Sequence, residues 1–248
     1  MIPVHGSPAI DKLVACGRII AEFWEALKPL VVPGAVTAEL DAFAEGFITA
    51  RGGTPAFKGY RGYPATLCIS INHEVVHGIP RADRRLAAGD LVGIDVGVCK
   101  DRLITDAARS YAVGAPTPEA LKLLALGRQA LDDGIASARD GALVRDISRS
   151  IQQRAEAAGC SVVRDLCGHG VGEKLHQEPE IPNYVKVGPS PKLKPGMCLA
   201  IEPMINSGGH RVKFLSDGWT VVTADGSLSV HFEDTVLVTA GAPLILTR

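Results

Sequence analysis

The chain has 248 residues, 46% hydrophobic and 21% charged, the ordinary balance of a globular protein that buries a core. Its formal net charge of −1 provides no global basic footprint, so DNA is not an expected partner. No run approaches the ~20 apolar residues of a membrane span. The first residues lack the basic and apolar regions of a secretory signal, so a cytoplasmic setting is expected. Cys16, Cys68, Cys99, Cys160, Cys167 and Cys198 form no C-x-x-C pair and are expected to be free, buried thiols in a reducing compartment.

Ser7-Pro8 reads as a cap followed by proline at the first helical position. Ile10, Leu13, Val14, Ile20, Trp24 and Leu27 then recur at helical spacing up to Lys28-Pro29. A second helix is predicted from Thr37 to Arg51, stopped by Gly52-Gly53. An aromatic, glycine-rich loop runs from Thr54 to Pro64, followed by strands at Leu67–Ile71, Leu91–Val98 and Leu103–Val113. Thr117-Pro118-Glu119 caps a third helix to about Ala138, and Val144–Ala158 forms a fourth. Strands are predicted near Ser161–Arg164, Met197–Ile201, Trp219–Val222 and Ser229–Val238. Gly34-Ala35-Val36 before the second helix matches Gly141-Ala142-Leu143 before the fourth, and Gly52 and Gly159 close those helices at the same offset. The expectation is one pseudo-symmetric α+β unit over residues 1–248.

Asp95 and Asp106 lie on two of these strands, joined by a polar turn. With the turn centred between Lys100 and Asp101, Asp95 is directly opposite Asp106, with Cβ atoms ~5 Å apart on one face. Two apposed buried carboxylates must share a proton or hold a cation. Further donors favour the cation. Glu202 ends the apolar run from Met197, Glu233 sits in a strand-like stretch, and His169 stands between Gly168 and Gly170. One histidine with four carboxylates suits a pair of divalent ions such as Mn, Fe, Co or Zn rather than a thiolate zinc site.

Two motifs compete for attention. His73-Glu74-Val75-Val76-His77 matches H-E-x-x-H, which binds zinc only on a helix. A strand-like run precedes it and Gly78 and Pro80 follow at once, so a helix is not expected. His77 remains a site candidate, and His73 is read as solvated. The cluster Gly168–Gly172 lacks the Lys-Ser/Thr tail of a phosphate loop.

Asp95 and Asp106 eleven residues apart, His169 in its glycine run, Glu202 before Pro203, and Glu233 resemble the five metal ligands of the pita-bread metallopeptidases, family M24. Gly59–Pro64, Cys68–Asn72, His77–Pro80, Gly168–Gly172 and Ser216–Thr220 are similar to type I methionine aminopeptidases in their short bacterial form. Leu175 stands where some members have phenylalanine. The resemblance implies an antiparallel, pseudo-two-fold sheet backed by helices, with two divalent ions (Co, Mn, Fe, Zn or Ni) held by those five residues. It also leaves room for one monovalent cation. It implies removal of the initiator methionine from nascent chains with a small second residue, at the ribosome, by a monomer. Glu202 would shuttle the proton, His176 would polarise the scissile carbonyl and His77 would contact the scissile nitrogen or the backbone beyond it. Phe57, Tyr60, Tyr63, Cys68, Leu175 and Trp219 would line the methionine pocket, where aromatic rings and a thiol suit a thioether.

Overall fold

Apolar residues at helical spacing bury one stripe on each long helix. In the computed structural model, which describes residues 2–248, these are α1 (Ser7–Leu27), α2 (Thr37–Ala50), α3 (Pro118–Ala136) and α4 (Val144–Ala157). α1 begins one residue earlier than expected: Gly6 is its cap, and the Ser7 hydroxyl caps nothing. Thr117 does cap α3, its hydroxyl accepting from the Ala120 N–H at 3.1 Å.

The strands are β1 (Thr54–Pro55), β2 (Leu67–Ile71), β3 (Glu74–Val76), β4 (Leu91–Lys100), β5 (Leu103–Ala112), β6 (Ser161–Val162), β7 (Cys167–Gly170) and β8 (Gln177–Pro182). They continue with β9 (Cys198–Ile201), β10 (Met204–Asn206), β11 (Val212–Phe214), β12 (Val221–Thr223), β13 (Ser229–His231), β14 (Asp234–Leu237) and β15 (Leu244–Ile245). One sheet has the order β1-β4-β2, with β5 on β4, and a second runs β15-β14-β9-β7-β8. Two smaller sheets have the orders β13-β10-β6 and β11-β12-β3. The expected strand over Ser229–Val238 is therefore two strands, broken where Phe232 and Glu233 cross from one sheet to another. β3 places Glu74–Val76 in a strand, so the H-E-x-x-H letters are not helical, and His73 is exposed.

The faint repeat is structural. Val36 and Leu143 each precede a helix and each form an isolated antiparallel bridge, with Arg85 and Lys192. Gly52 and Gly159 both turn left-handed (φ 70° and 74°) and donate to the third carbonyl back, those of Thr49 and Glu156. Each half packs its own core. α1 and α2 lie on Leu67, Ile69, Ile94 and Val96, and α3 and α4 lie on Leu199, Ile201 and Val236.

The β4–β5 turn differs from expectation by one residue. Lys100 pairs with Leu103, and the two-residue loop Asp101-Arg102 has positive φ at both positions (49° and 65°), the geometry of a tight hairpin. Asp95 thus faces Ala108, and Asp106 faces Gly97. The aspartates are diagonal neighbours. They keep the same face because the shift of partner is two residues and the side-chain period is two.

A seam joins the halves. Ser110 Oγ donates to the His231 carbonyl (2.9 Å) and accepts from its N–H (3.0 Å). Ala108 and Glu233 form a backbone bridge, and Thr235 Oγ1 donates to the Asp106 carbonyl (2.7 Å) and accepts from its N–H (2.8 Å). These three links keep antiparallel step, with serine and threonine hydroxyls standing in for backbone groups at either end.

Candidate metal centre

The seam and the ladders assemble the candidate donors in two adjacent rows. Cys68 pairs with Asp95, Asp95 with Ala108, and Ala108 with Glu233. Thr235, next to Asp106 on the seam, pairs with Ala200, and Ala200 pairs with His169. Glu202 lies one residue past the end of the β9–β14 ladder, in step with Glu233. Close backbone packing explains the glycines around His169. A Cβ at Gly168 would meet the Ala200 carbonyl at 2.5 Å, and one at Gly170 would meet the Glu178 carbonyl at 2.2 Å.

Asp106, His169 and Glu233 present donor atoms within 4.8 Å of one another, all three buried. Asp95 Oδ1, Asp106 Oδ1 and Glu233 Oε1 are buried oxygens with no hydrogen-bond partner. Burial, together with neighbouring carboxylates, raises Asp95 to about 7 and holds Asp106 and Glu233 well above the usual carboxylate range; burial does the same for Glu202. Such orphaned oxygens are costly without a cation, and the set fits divalent ions by its oxygen-rich chemistry. His169 Nδ1 lies 3.1 Å from the Gly170 carbonyl, which only accepts, so Nδ1 carries the proton. The lone pair on Nε2 then faces Glu202 Oε1 at 3.3 Å, the tautomer a metal ligand needs. Burial pushes His169 down to about 3, keeping it neutral.

A cavity of about 760 Å³ opens beside these donors. Its walls include Phe57, Tyr60, Tyr63, Cys68, His77, Leu175, His176 and Trp219 together with Asp95, Asp106, His169, Glu202 and Glu233. Phe57, Tyr63, Cys68 and Leu175 form one apolar cluster, with Tyr60 and Trp219 packed on it. The Tyr63 hydroxyl faces the carbonyls of Leu67 (2.9 Å) and Gly78 (3.1 Å), leaving its ring as the wall. Trp219 meets that ring edge-on, with centroids 5.0 Å apart. Asp217 fixes the Trp219 loop by accepting from the N–H groups of Trp219 and Thr220.

His176 lies against His169 with its ring tilted, centroids 4.3 Å apart, and its Nδ1 lies 3.0 Å from the Tyr60 hydroxyl. His77, with φ 61°, lines the same cavity edge-on to Trp219, and burial holds it down to about 4. Among the cavity side chains that the sequence does not single out is His231, buried and close to Glu202 and Glu233. Its position two residues before Glu233 was the available signal. The cysteines are all free, but only Cys16, Cys68 and Cys198 are buried; Cys99, Cys160 and Cys167 are partly exposed at strand and loop ends.

The profile of metallopeptidase family M24 matches residues 11–240. The methionine aminopeptidase of Clostridium perfringens is 50% identical over 247 residues, covering 100% of this chain and 99% of that protein. The chain belongs to the methionine aminopeptidases of family M24. The crystal structure of the Thermotoga maritima methionine aminopeptidase superposes with a TM-score of 0.97 at 39% identity, each chain fully covered. A prolidase from Pyrococcus furiosus shares the fold alone, at TM-score 0.79 and 23% identity, over 99% of this chain and 65% of its own. As a family member this chain is a metal-dependent hydrolase with the pita-bread fold. No helix among the described residues is long and apolar enough to cross a membrane.

Proposed function

We propose that this chain, acting as a single unit of the type I class, removes the N-terminal methionine from polypeptides whose second residue is small. The observation that carries the reading is the convergence of five candidate ligands from both halves on the cavity that holds the aromatic cluster. Asp95, Asp106, His169, Glu202 and Glu233 are the residues that would hold two divalent ions. Bound there, such ions supply an activated water and an anchor for the substrate's free amine.

The chain's own residues do the rest. Glu202 takes the proton of the attacking water and returns it to the leaving amine. With the Tyr60 hydroxyl donating to Nδ1, the imidazole proton of His176 would sit on Nε2, free to meet the scissile carbonyl oxygen and stabilise its developing negative charge. His77, kept neutral, offers a hydrogen bond to the scissile nitrogen or the next backbone group. Phe57, Tyr60, Tyr63, Cys68, Leu175 and Trp219 receive the thioether; the burial-raised Cys68 stays a neutral thiol suited to that contact. Free cysteines suit a reducing compartment, and a cytoplasmic monomer acting on nascent chains at the ribosome is the setting proposed.

The test is methionine release by metal-stripped protein from Met-Gly-Met-Met and its N-acetyl form, with and without Mn or Co. Release only from the free amine, and only with metal, supports the reading. Folded protein that releases nothing with any divalent ion defeats it, and release from X-Pro peptides instead would move the chain to the prolidase activity of its fold neighbours.

A further inference from the structure

His231 has no part in the scheme above, yet it lies at the centre of the cavity's charge. It is 4% exposed, and its Nε2 has no hydrogen-bond partner. That nitrogen lies 3.6 Å from Glu202 Oε2 and 3.9 Å from Glu233 Oε2. Its backbone is fixed on both sides. β13 pairs it with Met204, and Ser110 Oγ bonds both its N–H and its carbonyl. Only rotation about the side-chain bonds remains to it.

The two oxygens of Glu202 have different neighbours. Oε1 is 3.3 Å from His169 Nε2, on the side of the ligand group; Oε2 faces His231. An ionised carboxylate offers only acceptors, so an imidazole nitrogen facing two of them is matched by carrying a proton. A side-chain rotation moving Nε2 by roughly 0.8 Å brings it to ordinary hydrogen-bond distance of Oε2.

We propose that His231 is a positioning residue: its Nε2–H donates to Glu202 Oε2 and so turns Oε1 toward the ligand group. The inference rests on the reading of Glu202 as both ligand and proton carrier. Carboxylates that bind metal are held by such partners, whose loss costs about 10–100-fold in activity or metal affinity.

Wild type is compared with His231→Leu, which fills the volume without a donor, and His231→Gln, which keeps an N–H. Methionine release is measured with Co, and Co is titrated into the metal-stripped proteins by calorimetry and visible absorption. The expected result for His231→Leu is a kcat about 10–100-fold lower with KM within about two-fold, wild-type stoichiometry, and a shifted Co absorption band. His231→Gln restores most of kcat and the band. A His231→Leu protein with wild-type kcat and band overturns the proposal, as does loss of one bound Co in both variants, which would make His231 a ligand. If wild type itself releases no methionine, the functional reading fails, while the Co band still decides for or against the His231–Glu202 contact.

Discussion

Arg109 and Asp234 form an ion pair buried at the seam between the two halves, one residue beyond Glu233. The same guanidinium donates to the carbonyls of Ala108 and Glu233, so one cation holds the backbone bridge in place. Arg248 and the Thr247 hydroxyl complete the shell of Asp234.

Removing Arg109 leaves Asp234 buried with half its compensation. Arg109→Met should cost about 3 kcal/mol, the lower part of the range for breaking a buried pair, because Arg248 remains. The urea midpoint reads this directly, and an unchanged midpoint would show that the pair is not what holds the seam.

Metal should act as a folding ligand. Orphaned oxygens on Asp95, Asp106 and Glu233 are relieved by a cation only in the folded chain. Adding Mn or Co at about 100 times its Kd should raise the unfolding free energy by about 2.7 kcal/mol for each site filled. Asp106→Asn should lose most of that gain in a thermal melt; an Asn variant stabilised as much as wild type would move the cation elsewhere.

His77 gives a pH signature. Its folded value of about 4 lies below its ordinary 6.5, through burial first and then the neighbouring His231 and His176. Between those values the unfolded chain binds a proton that the folded chain refuses. Its contribution is therefore intact above about pH 6.5 and is lost as the pH falls toward 4. His77→Gln should flatten that part of the stability curve, measured as urea midpoints from pH 7 to 4 by roughly half-unit steps. Parallel curves for the two proteins would refute it.

The pocket wall offers a selective lesion. A Cβ at Gly97 would meet Phe57 Cε1 at 2.6 Å and Ala56 Cβ at 3.0 Å. Gly97→Ala should push the Phe57 ring into the cavity and raise KM for methionyl peptides about ten-fold, near 1.4 kcal/mol, with bound metal unchanged. Steady-state kinetics beside a metal titration checks both halves of that statement.

The sequence made the candidate ligand rows legible because strands alternate: Asp95 and Asp106 keep their common face even though the turn centre moves by one residue. Glu202 and Glu233 showed as acids embedded in apolar runs. The seam did not show. Ser110 and Thr235 read as ordinary strand residues, and only the three-dimensional join reveals their hydroxyls as substitutes for backbone bonds. Short strands such as β7 and β8 were missed because glycines, two prolines and charged residues mask their pattern. His231 was passed over because a histidine between valine and phenylalanine looks like core.

The split of the donors between the halves has a consequence for synthesis. Asp95 and Asp106 are made with the first half, whereas His169, Glu202 and Glu233 are made only with the second. A chain that has made only its first half, the part that packs α1 and α2, would offer an ion just two of the five candidate donors. If the five candidate donors hold the ions as proposed, metal capture reports that the second half has joined the first, and activity waits on that joining.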